Sequence, residues 1–213
     1  MLKKLKGEIK IAGANFFLVS GAFAAFLTAL AILAGDLMDY STVGFEVLFP
    51  FYTAMAASEW GKTRADRNFP VIAAQSPSMF SWVFLRWLAI FAATGLLAVC
   101  CMLVSGVFRQ EGSVWEMLLV YFPTAFFFSS LCALAGILWS REHVAALAGG
   151  LLWLTALFTR GLLRFPGVEY VYPFLQFAGD QNRVLVWNKG ILTAAGLLTW
   201  GGIWLKCRKG LWF

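Results

Sequence analysis

The sequence predicts an all-α polytopic membrane protein with six transmembrane helices, and three observations lead to that fold class. Only 13% of the 213 residues are charged and 61% are hydrophobic, whereas a soluble domain has about 25% charged residues. The apolar residues form uninterrupted runs of the roughly 20 residues that a helix needs to cross a bilayer. Lipid permits helices or closed barrels, and continuous apolar runs favour helices. We therefore expect a single transmembrane domain over residues 1–213.

A basic segment precedes the first predicted span. Residues 1–12 carry Leu2, Leu5 and Ile9 at helical spacing, with lysines on the other faces. This pattern is typical of an interfacial helix that lies against anionic membrane lipid, and a simple positive flank of the first span has the same composition. The first span is expected at residues 14–34, because its apolar run is too long for a cleaved secretory signal.

The second span is expected at residues 41–57. Glu46 lies near its outer end and Pro50 near its middle, where a proline removes a backbone donor and tends to kink a helix. Phe49, Phe51 and Tyr52 surround this proline. Such an aromatic segment can line the path of a substrate, or it can pack against neighbouring helices.

A densely charged segment at residues 58–81 follows the second span. It carries Glu59, Lys62, Arg64, Asp66 and Arg67 within nine residues. Each charge at the centre of a bilayer costs about 2.5–3.5 kcal/mol. This inter-span segment is therefore expected to lie outside the membrane, where a partner protein can contact it.

The remaining spans are expected at residues 80–104, 117–138, 144–158 and 184–205. Arg86 lies inside the first of these, where it either extends back to the headgroups or pairs with an acid on another span. A second polar region at residues 159–186 separates the last two spans and contains an apolar, aromatic cluster at 168–177. We expect this region to form short re-entrant or extracellular helices.

The distribution of basic residues predicts the orientation. Six spans place both termini, the inter-span segment and the turn at residues 140–143 on one side, and most of the Lys and Arg residues lie on that side. Cytoplasmic loops carry the excess of Lys and Arg in membrane proteins. The chain is therefore expected to be a multi-pass protein of the cell membrane with both termini cytoplasmic. Its net charge of +6 is explained in this way without nucleic acid.

The catalytic motifs that can be tested are absent or lack their context. Residues 56–63 read AASEWGKT and match a loose phosphate-loop pattern, but a membrane span replaces the strand that the motif requires. Glu59 would also place negative charge beside a phosphate. His143 is the only histidine, which excludes metal sites built from several histidines. We expect a non-catalytic chain with no cofactor or metal of its own.

Four features together resemble the permease subunits of type-2 ABC exporters. These are the basic, amphipathic N-terminal segment, the charged segment after span two that closes in Ser76-Pro77-Ser78, an outer Tyr172-Pro173-Phe174 motif, and Trp187-Asn188-Lys189 at the start of the last span. The likeness covers nearly the whole chain through its six-span order. The turn at residues 140–143 is shorter than that pattern suggests and leaves little room for a second large cytoplasmic contact.

The resemblance implies a permease that pairs with a second copy or a paralogue and with two copies of a separate ATPase, which bind ATP and Mg²⁺. The inter-span segment would then be a coupling helix that contacts the ATPase, through Glu59, Gly61, Lys62, Arg64, Asp66, Arg67 and Phe69. A substrate path near the dimer interface would be lined by Phe49, Phe51, Tyr52, Leu154 and Phe158. Tyr172, Pro173 and Phe174 would belong to an extracellular cap over that path.

An apolar, aromatic lining suits a hydrophobic or amphipathic substrate, which leaves peptides, lipids and drugs open. Two other functions also remain open at the level of the sequence. One is a secondary transporter that works without an ATPase, and the other is a membrane immunity or assembly protein. Co-purification with an ATPase distinguishes the exporter from both.

Overall fold

The computed structural model describes residues 15–27, 29, 43–62, 64–65, 67, 69, 71, 78–109, 114–141, 143–177 and 184–208. Every regular element in these ranges is helical. The predicted interfacial helix at residues 1–12 lies outside the described residues, as does Asp66.

Six α-helices are described. They are α1 (Asn15–Leu27), α2 (Phe49–Trp60), α3 (Met79–Arg109), α4 (Val114–Leu138), α5 (Val144–Phe158) and α6 (Leu185–Arg208). Four of the described helical segments are long and apolar enough to cross a membrane, namely Met79–Val104, Val114–Leu138, Val144–Arg164 and Leu185–Arg208. The all-helical character is therefore confirmed for the described residues, and four segments have the length and composition that a membrane span needs, while the full set of six spans stays a prediction.

The second predicted span has an unexpected form. A π-helical turn, Val43–Leu48, leads directly into α2. Pro50 lies in the first turn of α2, where a missing backbone donor costs little, and not in the middle of a kinked span as the sequence suggested. The irregularity falls one turn earlier, in the π-helical turn that carries Glu46. Single π-helical turns inside α-helical segments occur frequently at functional sites.

Helices that follow one another in the sequence alternate in direction. Thr53 on α2 bonds to Tyr121 near the start of α4, and the residues just after α2 bond to the end of α4, so these two helices run parallel. Trp87 near the start of α3 donates to Ser129 in the second half of α4, which makes this pair antiparallel. Lys189 in the second turn of α6 bonds to Thr124 in the first half of α4, so α2, α4 and α6 end at the same side of the bundle.

Aromatic side chains fill the space between α3, α4 and α6. The ring of Trp87 lies 4.8 Å from that of Trp200 and 4.9 Å from that of Phe91. Glycines permit close approach at two positions: a Cβ on Gly196 would lie 2.4 Å from the Phe126 ring, and one on Gly149 would lie 2.5 Å from the Cys132 sulfur. The buried cysteine therefore serves helix packing, as small apolar residues do.

Two 3₁₀ helices follow α5, at Thr159–Arg164 and Val168–Tyr170. Gly167 connects them with a φ of 90°, a conformation that is strained for other residues. The chain then continues through turns to residue 177 and packs back into the bundle. We refer to residues 168–177 as the cap segment.

Candidate functional site

A buried ion pair links the π-helical turn to the last helix. The Lys189 Nζ lies 2.7 Å from the Glu46 Oε1, and the two side chains are 1% and 0% exposed. The ammonium group also donates to the Thr124 hydroxyl at 2.9 Å and to the Pro173 carbonyl at 3.1 Å. All three donors of the lysine are therefore used, which is what a buried charge requires.

The Glu46 carboxylate also holds the backbone of the cap segment. Its Oε1 accepts the N–H of Gln176 at 3.2 Å, and its Oε2 accepts the N–H of Phe177 at 2.6 Å. Bonds to an ionised acceptor are about twice as strong as bonds between neutral groups. One carboxylate thus connects a transmembrane lysine to two successive amides of the cap segment.

Asn188 provides a further connection from α6. Its Nδ2 donates to the carbonyls of Glu169 and Tyr172, each at 2.8 Å. The side chain is fully buried, and its Oδ1 has no hydrogen-bond partner among the described residues. We refer to Glu46, Thr124, Asn188 and Lys189 together as the polar node.

Local structure explains why these side chains meet. Asn188 and Lys189 are consecutive residues in the first turn and a half of α6, so they project to neighbouring positions around its start. Thr124 bonds to the Val120 carbonyl of its own helix, which orients its hydroxyl. The π-helical turn places Glu46 against these groups, with no exposed surface.

The cap segment inserts two apolar side chains beside the polar node. Phe174 and Leu175 are both fully buried. Phe174 stacks on Phe128 of α4 with ring centroids 5.7 Å apart, and Leu175 packs with Val120 and Leu185. Burying two side chains of this size contributes about 1.5–3 kcal/mol each, so the cap segment is held by apolar and polar contacts together.

The three residues of the predicted cap lie side by side in this arrangement. Tyr172 is buried and donates its hydroxyl to the Ala156 carbonyl at 2.8 Å. Burial raises the pKa of the Tyr172 phenol, so the hydroxyl stays protonated and remains a donor. Pro173 contributes the carbonyl that Lys189 binds, and Phe174 is the buried ring described above. Their extracellular position stays a prediction.

The start of the inter-span segment is attached at the opposite end of the bundle. The Lys62 carbonyl accepts the Arg86 guanidinium at 2.5 Å. The Arg64 backbone N–H donates to the Gly136 carbonyl, and its guanidinium donates to the Leu138 carbonyl, both at 3.3 Å. Gly61 follows α2 directly and donates to the Ala57 carbonyl. This short stretch is consequently attached to α2, α3 and α4.

The other residues of the predicted coupling region are less enclosed. Glu59 and Lys62 form an ion pair of 2.8 Å on the surface. Arg67 is exposed and Phe69 is half-buried. Arg86 is 6% exposed and lies over the Trp82 ring, 4.8 Å from its centroid. Its guanidinium donates to the Lys62 carbonyl just beyond the end of α2, and the two alternatives for this arginine both stay open.

The five predicted path residues do not converge on one surface. Phe49 is fully buried between Phe45 and Tyr121, and Tyr52 is buried, stacks on Phe23 and bonds to Ser20. Phe51 packs on Trp153 of α5. Leu154 and Phe158 are 43% and 85% exposed. The buried rings serve packing within one chain, and the exposed residues of α5 face away from it.

The polar node was not predicted as a unit. The sequence shows Glu46 in an apolar run and Lys189 at the start of another, separated by 143 positions. An ionisable residue within a span usually has a charged partner on another span, and that rule could have paired them. The bonds from Glu46 to backbone amides leave no signal in the sequence.

No protein-family model matches the chain, and neither do curated proteins or solved structures. The described residues contain no group of three or more His, Cys, Asp or Glu that could hold a metal ion. The functional assignment consequently depends on the geometry of the two ends of the bundle.

Proposed function

We propose that the chain is the transmembrane permease subunit of an ATP-binding cassette exporter, driven by two copies of a separate ATPase. The observation that carries this proposal is the attachment of Gly61, Lys62 and Arg64 to three helices at once. The bonds to Ala57, Arg86 and Gly136 tie the segment to α2, α3 and α4. A displacement of the segment by a partner would therefore move these helices together, as a rigid-body switch between two packings requires.

The charges at the two ends support the proposed orientation. The end that contains the inter-span segment carries several cations, namely Lys62, Arg64, Arg86, Arg141, Lys206 and Arg208. The other end carries three acidic and four basic described residues, namely Glu46, Glu116, Glu169, Arg109, Arg160, Arg164 and Lys189. The positive-inside rule then places the inter-span segment and both termini in the cytoplasm and the cap segment outside a cell membrane.

A second permease copy has a surface to bind. Leu147, Leu151, Leu154 and Phe158 recur at helical spacing along α5 and are 43–85% exposed. Only Ala145, Gly149 and Ala156 of this helix are buried within the chain. We propose that this stripe faces the second copy or paralogue across the substrate path, with membrane lipid around the rest of the bundle. Leu154 and Phe158 then line the path from the dimer interface.

A second candidate is a secondary transporter that works without an ATPase. The Glu46–Lys189 pair favours it, because buried ionisable residues in spans often serve ion or proton coupling. The saturated bonding of Lys189 argues against that role, since a coupling site must release its ion or proton in each cycle. A membrane immunity or assembly protein has no specific observation in its favour.

The proposal is tested by reversing charge in the inter-span segment. The chain is co-expressed with candidate ATPases, and the ATPase rate of the purified complex is measured for Lys62→Glu combined with Arg67→Glu. We expect a loss of coupled ATPase activity of about fivefold or more. Arg164→Glu is the matched control, because this exposed arginine lies at the opposite end.

Two results would refute the permease assignment. One is an unchanged ATPase rate in the charge-reversed complex. The other is transport by the purified chain in vesicles without ATPase or ATP, which would instead establish the secondary transporter.

A further inference from the structure

The contacts of the cap segment have the form of a peptide bound to a receptor. We propose that the polar node and the apolar sites beside it form a peptide-binding site, which the cap segment occupies within the chain and which an apolar substrate peptide takes over when that segment leaves. The transport role of this site rests on the proposed function, whereas peptide binding can be measured on the chain alone.

The main-chain contacts identify the class of ligand. Glu46 accepts two successive backbone N–H groups, those of Gln176 and Phe177. Lys189 donates to one backbone carbonyl of the cap segment and Asn188 donates to two others. Every peptide offers such alternating donors and acceptors, whatever its side chains, and main-chain bonds of this kind supply affinity in peptide recognition. Lipid tails and polycyclic drugs lack this series of groups.

The side-chain contacts identify the preferred sequence. Phe174 fills a site against Phe128, and Leu175 fills a second site against Val120 and Leu185. Both side chains are fully buried, so the two sites are dry and select apolar residues. An aromatic residue followed by an aliphatic one is therefore the expected core of a competing peptide.

The polar node also has unused bonding capacity. The Asn188 Oδ1 is buried and no residue in the described part of the chain donates to it, while its Nδ2 is oriented by two carbonyls. Buried acceptors without a partner are uncommon in proteins. A ligand that offers one more N–H than the cap segment does would gain a bond here, which would help it to displace the segment.

The covalent attachment of the cap segment sets the competition. A tethered ligand acts at an effective concentration in the millimolar range, so a free peptide binds weakly while the segment is docked. The site opens to outside ligands when the helices that carry Glu46 and Lys189 move apart. The segment would thus act as an internal competitor that keeps the site closed between transport events.

The experiment measures binding of a fluorescent peptide to the full chain in lipid nanodiscs. The probe is the acetylated and amidated peptide VEYVYPFLQF, the sequence of residues 168–177. The chain is tested as wild type and as a Phe174→Ser, Leu175→Ser variant, in which the internal competitor loses its two buried side chains. We expect the variant to bind the peptide about tenfold or more tightly than the wild type.

Two controls separate specific recognition from adsorption to the bilayer. A peptide N-methylated at the amides that correspond to Gln176 and Phe177 loses the two bonds to Glu46, and we expect about tenfold weaker binding. Glu46→Gln in the variant background should weaken the parent peptide similarly. Glu116→Gln, an exposed change at the same end, should leave binding unaltered.

A second measurement covers the case in which the variant does not fold. A wild-type chain is irradiated with a peptide that carries a photoreactive phenylalanine at the position of Phe174, and cross-linking to α4 around Phe128 is expected at high peptide concentration. Cross-links scattered over exposed residues would overturn the proposal. Equal binding of the N-methylated and parent peptides would also overturn it. So would a result in which the variant binds a fluorescent phospholipid, and not the peptide, more tightly than the wild type does.

These outcomes are distinguishable from a failure of the proposed function. Specific peptide binding to the chain, together with an unchanged ATPase rate in the charge-reversed complex, would retain the site and remove the exporter. A coupled ATPase with no specific peptide binding would retain the exporter and remove the site.

Discussion

The two ends of the helix bundle hold their charged residues in opposite ways. At the cap end, Lys189 and Glu46 form an ion pair of 2.7 Å with side chains that are 1% and 0% exposed. At the basic end, Lys62 and Glu59 lie 2.8 Å apart with side chains that are 24% and 49% exposed. The first pair is surrounded by a hydroxyl group of α4 and by amide and carbonyl groups of the cap segment. The second pair is local to one helix end.

This difference indicates that the buried pair stabilises the fold and that the exposed pair can contact a partner protein. Breaking a buried pair leaves a desolvated charge without a partner, so the buried pair specifies one arrangement of the helices and the cap segment. An exposed pair contributes only about 0–1 kcal/mol to folding. Its two side chains can therefore give up their contact with each other and bind a partner protein at little cost in free energy. The buried pair therefore fixes the arrangement of the helices at the cap end, whereas the exposed pair is available to contact a partner at the other end.

The largest expected effect is at the buried pair. Lys189→Met leaves the Glu46 carboxylate buried without its cation, so we expect a loss of about 3–5 kcal/mol in the free energy of unfolding. Denaturant unfolding in mixed micelles, followed by tryptophan fluorescence, measures it.

The matched control is Lys206→Met, a half-buried lysine in the last turn of α6 that should unfold close to the wild type. Adding Glu46→Gln to Lys189→Met removes the second charge and should recover much of the loss. If Lys189→Met lowered the free energy of unfolding no more than Lys206→Met does, the proposed difference between the two ends would be wrong.

An intermediate effect is expected at Arg86, the buried cation of the basic end. Arg86→Met removes the bond to the Lys62 carbonyl, and a bond to a charged group contributes about 1.5–3 kcal/mol. We also expect faster amide hydrogen exchange in residues 61–65, because the segment loses an attachment to α3. Arg141→Met, an exposed change at the same end, should alter neither quantity. Unchanged exchange at residues 61–65 would show that α3 does not hold the segment.

The smallest effect on stability is expected at the exposed pair. Glu59→Gln should change the free energy of unfolding by no more than about 0.5 kcal/mol, because solvent already screens both charges. The same denaturant unfolding measures it. A loss of about 2 kcal/mol or more would show that this pair stabilises the fold as a buried pair does. It would contradict the view that the pair is available to a partner protein.

The sequence was sufficient for the features that depend on solvation alone. The apolar runs predicted α3, α4, α5 and α6 with boundaries close to those described, because a span needs a minimum length of apolar side chain wherever its neighbours lie. The position of the charged inter-span segment outside the membrane stays a prediction. Pro50 was misplaced, since a proline is compatible with a kink and with a first helical turn, and sequence does not distinguish them.

Only the tertiary structure decided which side chains meet. Phe49 and Phe158 look equivalent as aromatic residues of apolar runs, yet one is fully buried and the other is 85% exposed. The bonds from Glu46 to the amides of Gln176 and Phe177 join positions 130 and 131 residues apart. Every residue except proline has a backbone N–H group, so nothing in the sequence distinguishes the N–H groups of Gln176 and Phe177 from the others. The sequence determined what must lie in lipid or water, and packing determined which buried groups bind one another.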